Sequence, residues 1–343
     1  FRITPDGFDP APILGHSPLC ATPVERLLLG GVRVIVWSPG IPWWKPSGEG
    51  LGGRAKVRFI QGQLQAMHRL PALTDHRLRI ARSAADIRRI NADGAVAVLL
   101  HLSGVNHLND LGILREYYDL GVRMIHCGFQ DWPEEAPHGD TVQYDRPQAR
   151  VYHGGHLNAH GVRTIEEMKR LGIIVDTAHL LPEGFDDVTS RLERTPFVYS
   201  HGGCGALYAC ERNFDDARIA RVATHGGVYG IGVCLGPDLS EETARQASEN
   251  ARRHRLLAER RRAREAELAA RARDIRDYVR LRYSEWGHWE ERELAAMQGY
   301  PFKSSLRNVV AHMTYLRERF GADVVGYGPD YEFTWQGHLG LEE

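Results

Sequence analysis

The stretch Glu166–Asn213 constrains the fold more than any other part of this chain. It reads EEMKRLGIIVDTAHLLPEGFDDVTSRLERTPFVYSHGGCGALYACERN. A helix with Ile165, Met168 and Leu171 on one face runs into Gly172. The apolar run Ile173-Ile174-Val175 follows and breaks into Asp176-Thr177-Ala178-His179. A second helix then leads to Pro196-Phe197-Val198-Tyr199, which breaks into Ser200-His201-Gly202-Gly203. Short apolar runs without polar alternation suit strands buried on both faces, as in a parallel sheet. Each of these two strands ends by presenting a histidine. In parallel α/β proteins, ligands and metals gather at the carboxyl ends of strands. One such histidine is an ordinary polar residue; the repeat reads as one site.

The rest of the chain extends the alternation. Ile13-Leu14 reads as a short first strand stopped by Gly15-His16-Ser17-Pro18, and Pro23–Leu29 as a short helix. Val32–Trp37 is β-branched and reads as a strand. Gly40–Gly53, with Trp43 and Trp44, reads as a loop. Residues 54–92 read as helices, the last capped by Ser83 with Asp86 three residues on. Ala95–Leu102 and Val122–Cys127 are the next strands, with a helix over Asp110–Leu120 between them. The period of two places His101 and Ser103 on one face. Residues 130–156 form a long polar loop, a length that is often functional. After the pair above come a helix over Asp215–Thr224, a strand over Val228–Val233, a helix over Leu306–Phe320 and an eighth strand, Asp323–Tyr327. Residues 240–300 differ from everything else, being almost all helix formers and charge, which suits a solvated helical insertion with i,i+4 pairs.

This order predicts a single (β/α)8 TIM-like barrel over residues 1–343, with the 240–300 helices inserted between strands seven and eight. A doubly wound open sheet is the alternative, but no Gly-rich phosphate loop follows the first strand. The barrel brings His16, Ser103, His179, His201 and Asp330 to one mouth.

Composition narrows the function classes. A formal net charge of −1 over 343 residues gives no global pull toward nucleic acid or an anionic membrane. No apolar run approaches the roughly 20 residues needed to cross a bilayer, and no signal peptide is visible. The sequence starts at Phe1 rather than Met, as it would if a short segment preceded it. Five cysteines lacking CxxC spacing suggest free thiols in a reducing compartment, so a cytoplasmic protein is expected. The 17 histidines are more than a chain of this size usually carries and raise the prospect of metal chemistry.

Several segments together carry a resemblance. They are Gly121–Arg123 (GVR), 167–179 (EMKRLGIIVDTAH), 196–201 (PFVYSH), 211–213 (ERN), 225–231 (HGGVYGI) and 325–332 (VGYGPDYE). In this order they resemble the membrane (renal) dipeptidase family of metallopeptidases, over about Ile13 to Asp330. The resemblance implies a (β/α)8-barrel hydrolase, usually homodimeric, with two zinc ions bridged by a glutamate. It implies dipeptide substrates, including those with a D- or dehydro-residue at the C-terminal position. His179 and His201 match the two histidines of one zinc site. Arg212 matches an arginine that holds the substrate carboxylate, and Asp330 an aspartate that meets the substrate amine or assists proton transfer. His16 matches the histidine of an Asp-Gly-His-Xaa-Asp motif.

The departures concern the metal. Pro18 stands where the family has a ligating aspartate, and Ser103 (or Leu102, on a one-residue slip) where it has the bridging glutamate. Phe129 stands where many members have a substrate-contacting histidine. Two adjacent dications without a carboxylate bridge would repel strongly. One divalent ion is therefore expected, zinc first, with iron, copper, nickel or cobalt as alternatives, held by His16, His179 and His201. Asp330 is the candidate general base. His101, Ser103 and His126 are possible further ligands or else hydrogen-bonded barrel residues, and Asp176 is read as an acceptor supporting the site. Cys127 and Cys204 read as small buried side chains. The expected reaction is metal-dependent hydrolysis of an amide or dipeptide-like bond in a small molecule. A lyase or oxidative reaction, or a non-catalytic binding role, is the alternative.

Overall fold

The computed structural model describes residues 2–4, 7–9, 24–38, 53–103, 110–127, 152–153, 156–180, 182–209, 212–232, 235–236, 306–329 and scattered positions within 256–289. Its centre is an eight-stranded parallel sheet. The strands are β1 (Val34–Trp37), β2 (Leu78–Ile80), β3 (Val96–Ser103), β4 (Val122–His126), β5 (Ile174–Asp176), β6 (Val198–Gly202), β7 (Val228–Ile231) and β8 (Val325–Tyr327). They lie in the order β8-β7-β6-β5-β4-β3-β1, with β2 also paired to β3. Among the described residues the sheet is open, a half-barrel in which β1 and β8 are not paired with each other. Two short antiparallel hairpins, Arg2–Thr4 with Gly7–Asp9 and Tyr152–His153 with His156–Leu157, stand apart from it.

Three features depart from the sequence reading, the first being that the end of the expected loop 130–156 pairs as the Tyr152–His153 and His156–Leu157 hairpin. Leu78–Ile80 is a strand paired with Val96–Val98, not part of a helical run over 54–92. Three residues are too few to show a period of two, and Ile80 also falls at helical spacing from Ile87. The sixth strand starts later than expected and continues through His201 to Gly202, so this histidine lies within the ladder. The expected first strand, Ile13-Leu14, lies outside the described residues.

Local chemistry explains the element ends. Ser83 caps the helix Ala84–Ala92 by accepting from the Asp86 N–H, and Asp86 Oδ2 accepts in return from the Ser83 hydroxyl and the Arg82 N–H. Asn158 Oδ1 accepts from the N–H groups of His160 and Gly161 to start the helix Ala159–Leu171. Gly172, with φ 74°, ends that helix in the left-handed region that glycine adopts at little cost, and the chain turns directly into β5. Glu167, on the same helix, ion-pairs with Arg115 at 2.6 Å and Arg170 at 2.7 Å, joining it to the helix Leu111–Asp119.

The core lies between the sheet and its outer helices. Phe185 and Phe197 are fully buried and Phe214 nearly so, and Phe185 meets both edge-on at centroid distances of 5.9 and 4.7 Å. Burying a side chain of this size contributes roughly 1.5–3 kcal/mol. That packing anchors the helix Pro182–Leu192 between β5 and β6, and so fixes where both strands end. Among the described residues no helix is long and apolar enough to cross a membrane.

Candidate active site

Register sets the site. Ser103 on β3 pairs with His126 on β4, His126 pairs with Asp176 on β5, and Asp176 pairs with Val198 on β6. Paired residues in a ladder point to the same face. The row therefore carries His126 and Asp176 side by side toward one end of the sheet.

Asp176 is the anchor. Its carboxylate is fully buried, and Oδ1 accepts from the backbone N–H of Ala178 at 3.1 Å and of Ser200 at 3.0 Å. One oxygen thus ties the end of β5 to β6 just where each strand delivers its histidine. Oδ2 stands 3.4 Å from His101 Nε2, without the alignment of a hydrogen bond. Burial pushes this carboxyl up, but the contact with His101 and the neighbouring His126, His101 and His201 imidazoles outweigh it and hold it well below the usual range.

His179 follows three residues after Asp176 in a left-handed backbone conformation, φ 64°, which is uncommon for a residue with a Cβ. This turn sends the imidazole back over the strand ends. His179 Nε2 and His201 Nε2 face each other at 2.8 Å, with ring centroids 4.8 Å apart. Arg212 Nη2 donates to His179 Nε2 as well, so that nitrogen presents its lone pair. On that assignment His201 carries its proton on Nε2, and its Nδ1 accepts from the Ser200 hydroxyl at 2.7 Å. Burial, followed by the Arg212 charge on His179 and by the His179 and Arg212 charges on His201, pushes both imidazoles well below their ordinary range. Both rings are therefore held neutral, the form that binds metal.

His126 packs edge-on against His179 at 5.0 Å, but its Nε2 meets the Ala178 carbonyl oxygen. Burial also lowers its basicity. His101 lies 6.3 Å from His126, ring to ring, with 12% of its side chain exposed. Cys127 and Cys204 are free and buried, and burial drives both thiols up, Cys204 to about 12. His16 and Asp330 lie outside the described residues, as do Pro18 and Phe129, and Ser103 enters through its backbone register alone.

Sequence reasoning did not anticipate the Ser200–His201 contact or the bond from the Tyr199 hydroxyl to the Arg212 carbonyl. Ser200 was visible as the neighbour of His201; no pattern pointed to Tyr199.

The histidine pair suits a metal ion. One imidazole lone pair serving two donors is a poor hydrogen-bond arrangement, whereas a cation between the rings is served by both nitrogens. Two nitrogens bound to one tetrahedral zinc lie roughly 3.3 Å apart, about half an ångström more than the separation here. Among the described residues no group of three His, Cys, Asp or Glu side chains is arranged to hold a metal.

The model of membrane dipeptidase, peptidase family M19, matches residues 14–343. The chain belongs to this family. Among curated relatives, the membrane dipeptidase match extends to dipeptidase verJ of Clonostachys rogersoniana, 26% identical over 61% of this chain and 53% of that protein. Dipeptidase tcpJ of Claviceps purpurea is 28% identical over 66% of this chain and 51% of its own length. The chain thus spans about half the length of these relatives. Among solved structures, the probable dipeptidase PvdM from Pseudomonas aeruginosa superposes with a TM-score of 0.60 at 19% identity, covering 90% of this chain and 76% of that one. A metallo peptidase from Rhodobacter sphaeroides, liganded with a phosphinate mimic of the dipeptide L-Ala-D-Ala, gives 0.57 at 18% identity over 93% and 80%. These likenesses support the fold.

Proposed function

We propose that this chain is a dipeptidase-type metallohydrolase that cleaves the amide bond of a dipeptide or dipeptide-like small molecule. The observation that carries the reading is the pair of half-buried imidazoles, held neutral, whose Nε2 atoms face each other at 2.8 Å beside the Arg212 guanidinium. His179 and His201 would hold a single divalent ion, zinc first, with His16 as the third donor. Such an ion polarises a carbonyl and activates water. The chain's own residues do the rest. Burial keeps the two imidazoles neutral, and Asp176 locks the ends of β5 and β6 in register. The planar Arg212 fork suits the substrate carboxylate. Asp330 takes a proton from the attacking water and returns it to the leaving amine. His101 and His126 support the pair from β3 and β4.

The reading includes one domain whose half-barrel closes through the segment around Ile13-Leu14, with the 240–300 helices as an insertion. It also includes a cytoplasmic homodimer, which rests on the family resemblance and on the sparse cysteines. The family match favours hydrolysis over a lyase, oxidative or purely binding role. Elemental analysis together with turnover on a dipeptide panel tests the proposal. About one metal per chain and metal-dependent hydrolysis are expected, and full activity in metal-free protein would sink it.

A further inference from the structure

Arg212 is useful to a substrate carboxylate only if its backbone is fixed, and the structure supplies a device for that. Tyr199, on β6 two residues before His201, donates its hydroxyl to the Arg212 carbonyl oxygen. Its ring is 1% exposed and stacks on Tyr229 of β7 at a centroid distance of 4.6 Å and an interplanar angle of 9°. Tyr229 in turn donates its hydroxyl to the Gly203 carbonyl at 2.7 Å and accepts from the Phe214 N–H at 3.2 Å. Asn213 Oδ1 accepts from the Gly203 N–H at 2.7 Å, and its amide nitrogen donates to the Tyr208 carbonyl. The segment from Gly203 to Phe214 is therefore held at both ends, with Arg212 beside the clamp. Gly202 leaves the room for it: a Cβ there would stand 2.5 Å from the Tyr199 ring and 3.2 Å from the Arg212 carbonyl oxygen.

We infer that Tyr199 is a positioning residue that sets Arg212 for a substrate carboxylate, and thereby selects ligands with a free C-terminal acid. The inference rests on the dipeptidase reading above. Tyr229 holds the loop ends, whereas Tyr199 bonds the arginine itself. Loss of the Tyr199 hydroxyl frees the Arg212 backbone while the ring stack remains.

Steady-state kinetics of Tyr199→Phe on a dipeptide and on the C-terminal amide of the same dipeptide reads this directly. The KM for the free acid is expected to rise about tenfold, the scale of one displaced charge-assisted contact, with kcat within about twofold. The KM for the amide, which offers no carboxylate, is expected to stay where it is. A purely structural role would move both substrates together or lower kcat for both, and either result overturns the inference. Unchanged kinetics in Tyr199→Phe, with Arg212→Lys raising the KM for the acid, also overturns it while leaving the dipeptidase reading intact. Should Tyr199→Phe not fold, Asn213→Ala tests the same clamp and is expected to give the same split. Should the wild-type protein hydrolyse no dipeptide, the dipeptidase reading fails, and equilibrium binding of the dipeptide to both proteins reads the clamp. Equal affinity there overturns it.

Discussion

His312, which is buried, and His201, which is half-buried, are both pushed below their ordinary range by desolvation, yet their ring nitrogens meet opposite kinds of partner. His312, on the helix Leu306–Phe320, spends both ring nitrogens on backbone: Nδ1 accepts from the Cys204 N–H at 2.9 Å and Nε2 donates to the Leu235 carbonyl at 3.2 Å. It bridges three segments and has no nitrogen left over. His201 is steadied by Ser200 at Nδ1, and its Nε2 meets another ring nitrogen. A buried imidazole satisfied by backbone is a structural bolt. A pair whose nitrogens are aimed at each other is, on the proposed reading, the place where a metal ion enters.

Breaking either histidine tests this contrast. His201→Ala is expected to lower turnover by ~10³-fold or more, since a held metal supplies several kcal/mol of barrier reduction. Metal content should fall with it while the thermal midpoint moves little. His312→Ala is expected to reverse the pattern. Leaving the Cys204 N–H without its acceptor and opening a cavity costs about 2–4 kcal/mol, read as a lower urea midpoint, with kcat of the folded fraction unchanged. A large loss of kcat in folded His312→Ala would erase the distinction.

Acid titration sharpens it further. His312 binds its proton more weakly folded than at the ordinary value of 6.5, so its stabilising share is full above that pH. As pH falls below it, the unfolded chain takes up the proton first and that share is lost. Glu167 is pulled from 4.5 to about 2 by hydrogen bonds from Arg170 and Arg115, so its share is full above 4.5 and fades as pH drops toward 2. Urea midpoints measured across pH should therefore fall in two stages; His312→Gln is expected to reduce the upper, which His126, His179 and His201 share, and Glu167→Gln the lower, which Asp176 shares. The smallest effect concerns the thiols. Cys204, raised to about 12, and Cys127 should not react with a thiol-specific disulfide reagent at pH 8 until the protein unfolds.

Much of this was legible because hydrophobic runs punctuated by polar breaks are strong signals. The ends of β5 and β6 stood out through IIVDTAH and PFVYSH, and Ser83 with Asp86 predicted a cap that the structure contains. Leu78–Ile80 did not, since a three-residue strand has no period and its existence depends on pairing with β3. His312 was hidden because it sits in an amphipathic, charged helix, where one inward polar residue breaks no pattern. The clamp on Arg212 was equally invisible. It depends on two tyrosines 30 residues apart in sequence stacking across neighbouring strands, and only the register of β6 against β7 brings them together, Tyr199 pairing with Tyr229. Arg212 itself was legible only through the family resemblance.

The left-handed turn at His179 has a consequence for selection. An L-residue in that conformation carries a conformational cost of roughly 1–2 kcal/mol that glycine escapes and asparagine partly escapes. A library screened for thermal tolerance alone should therefore drift toward Gly or Asn at position 179 and away from the imidazole. On the proposed reading, the histidine that would hold the metal is also one that a stability screen would discard, so retaining it would require selection on catalysis.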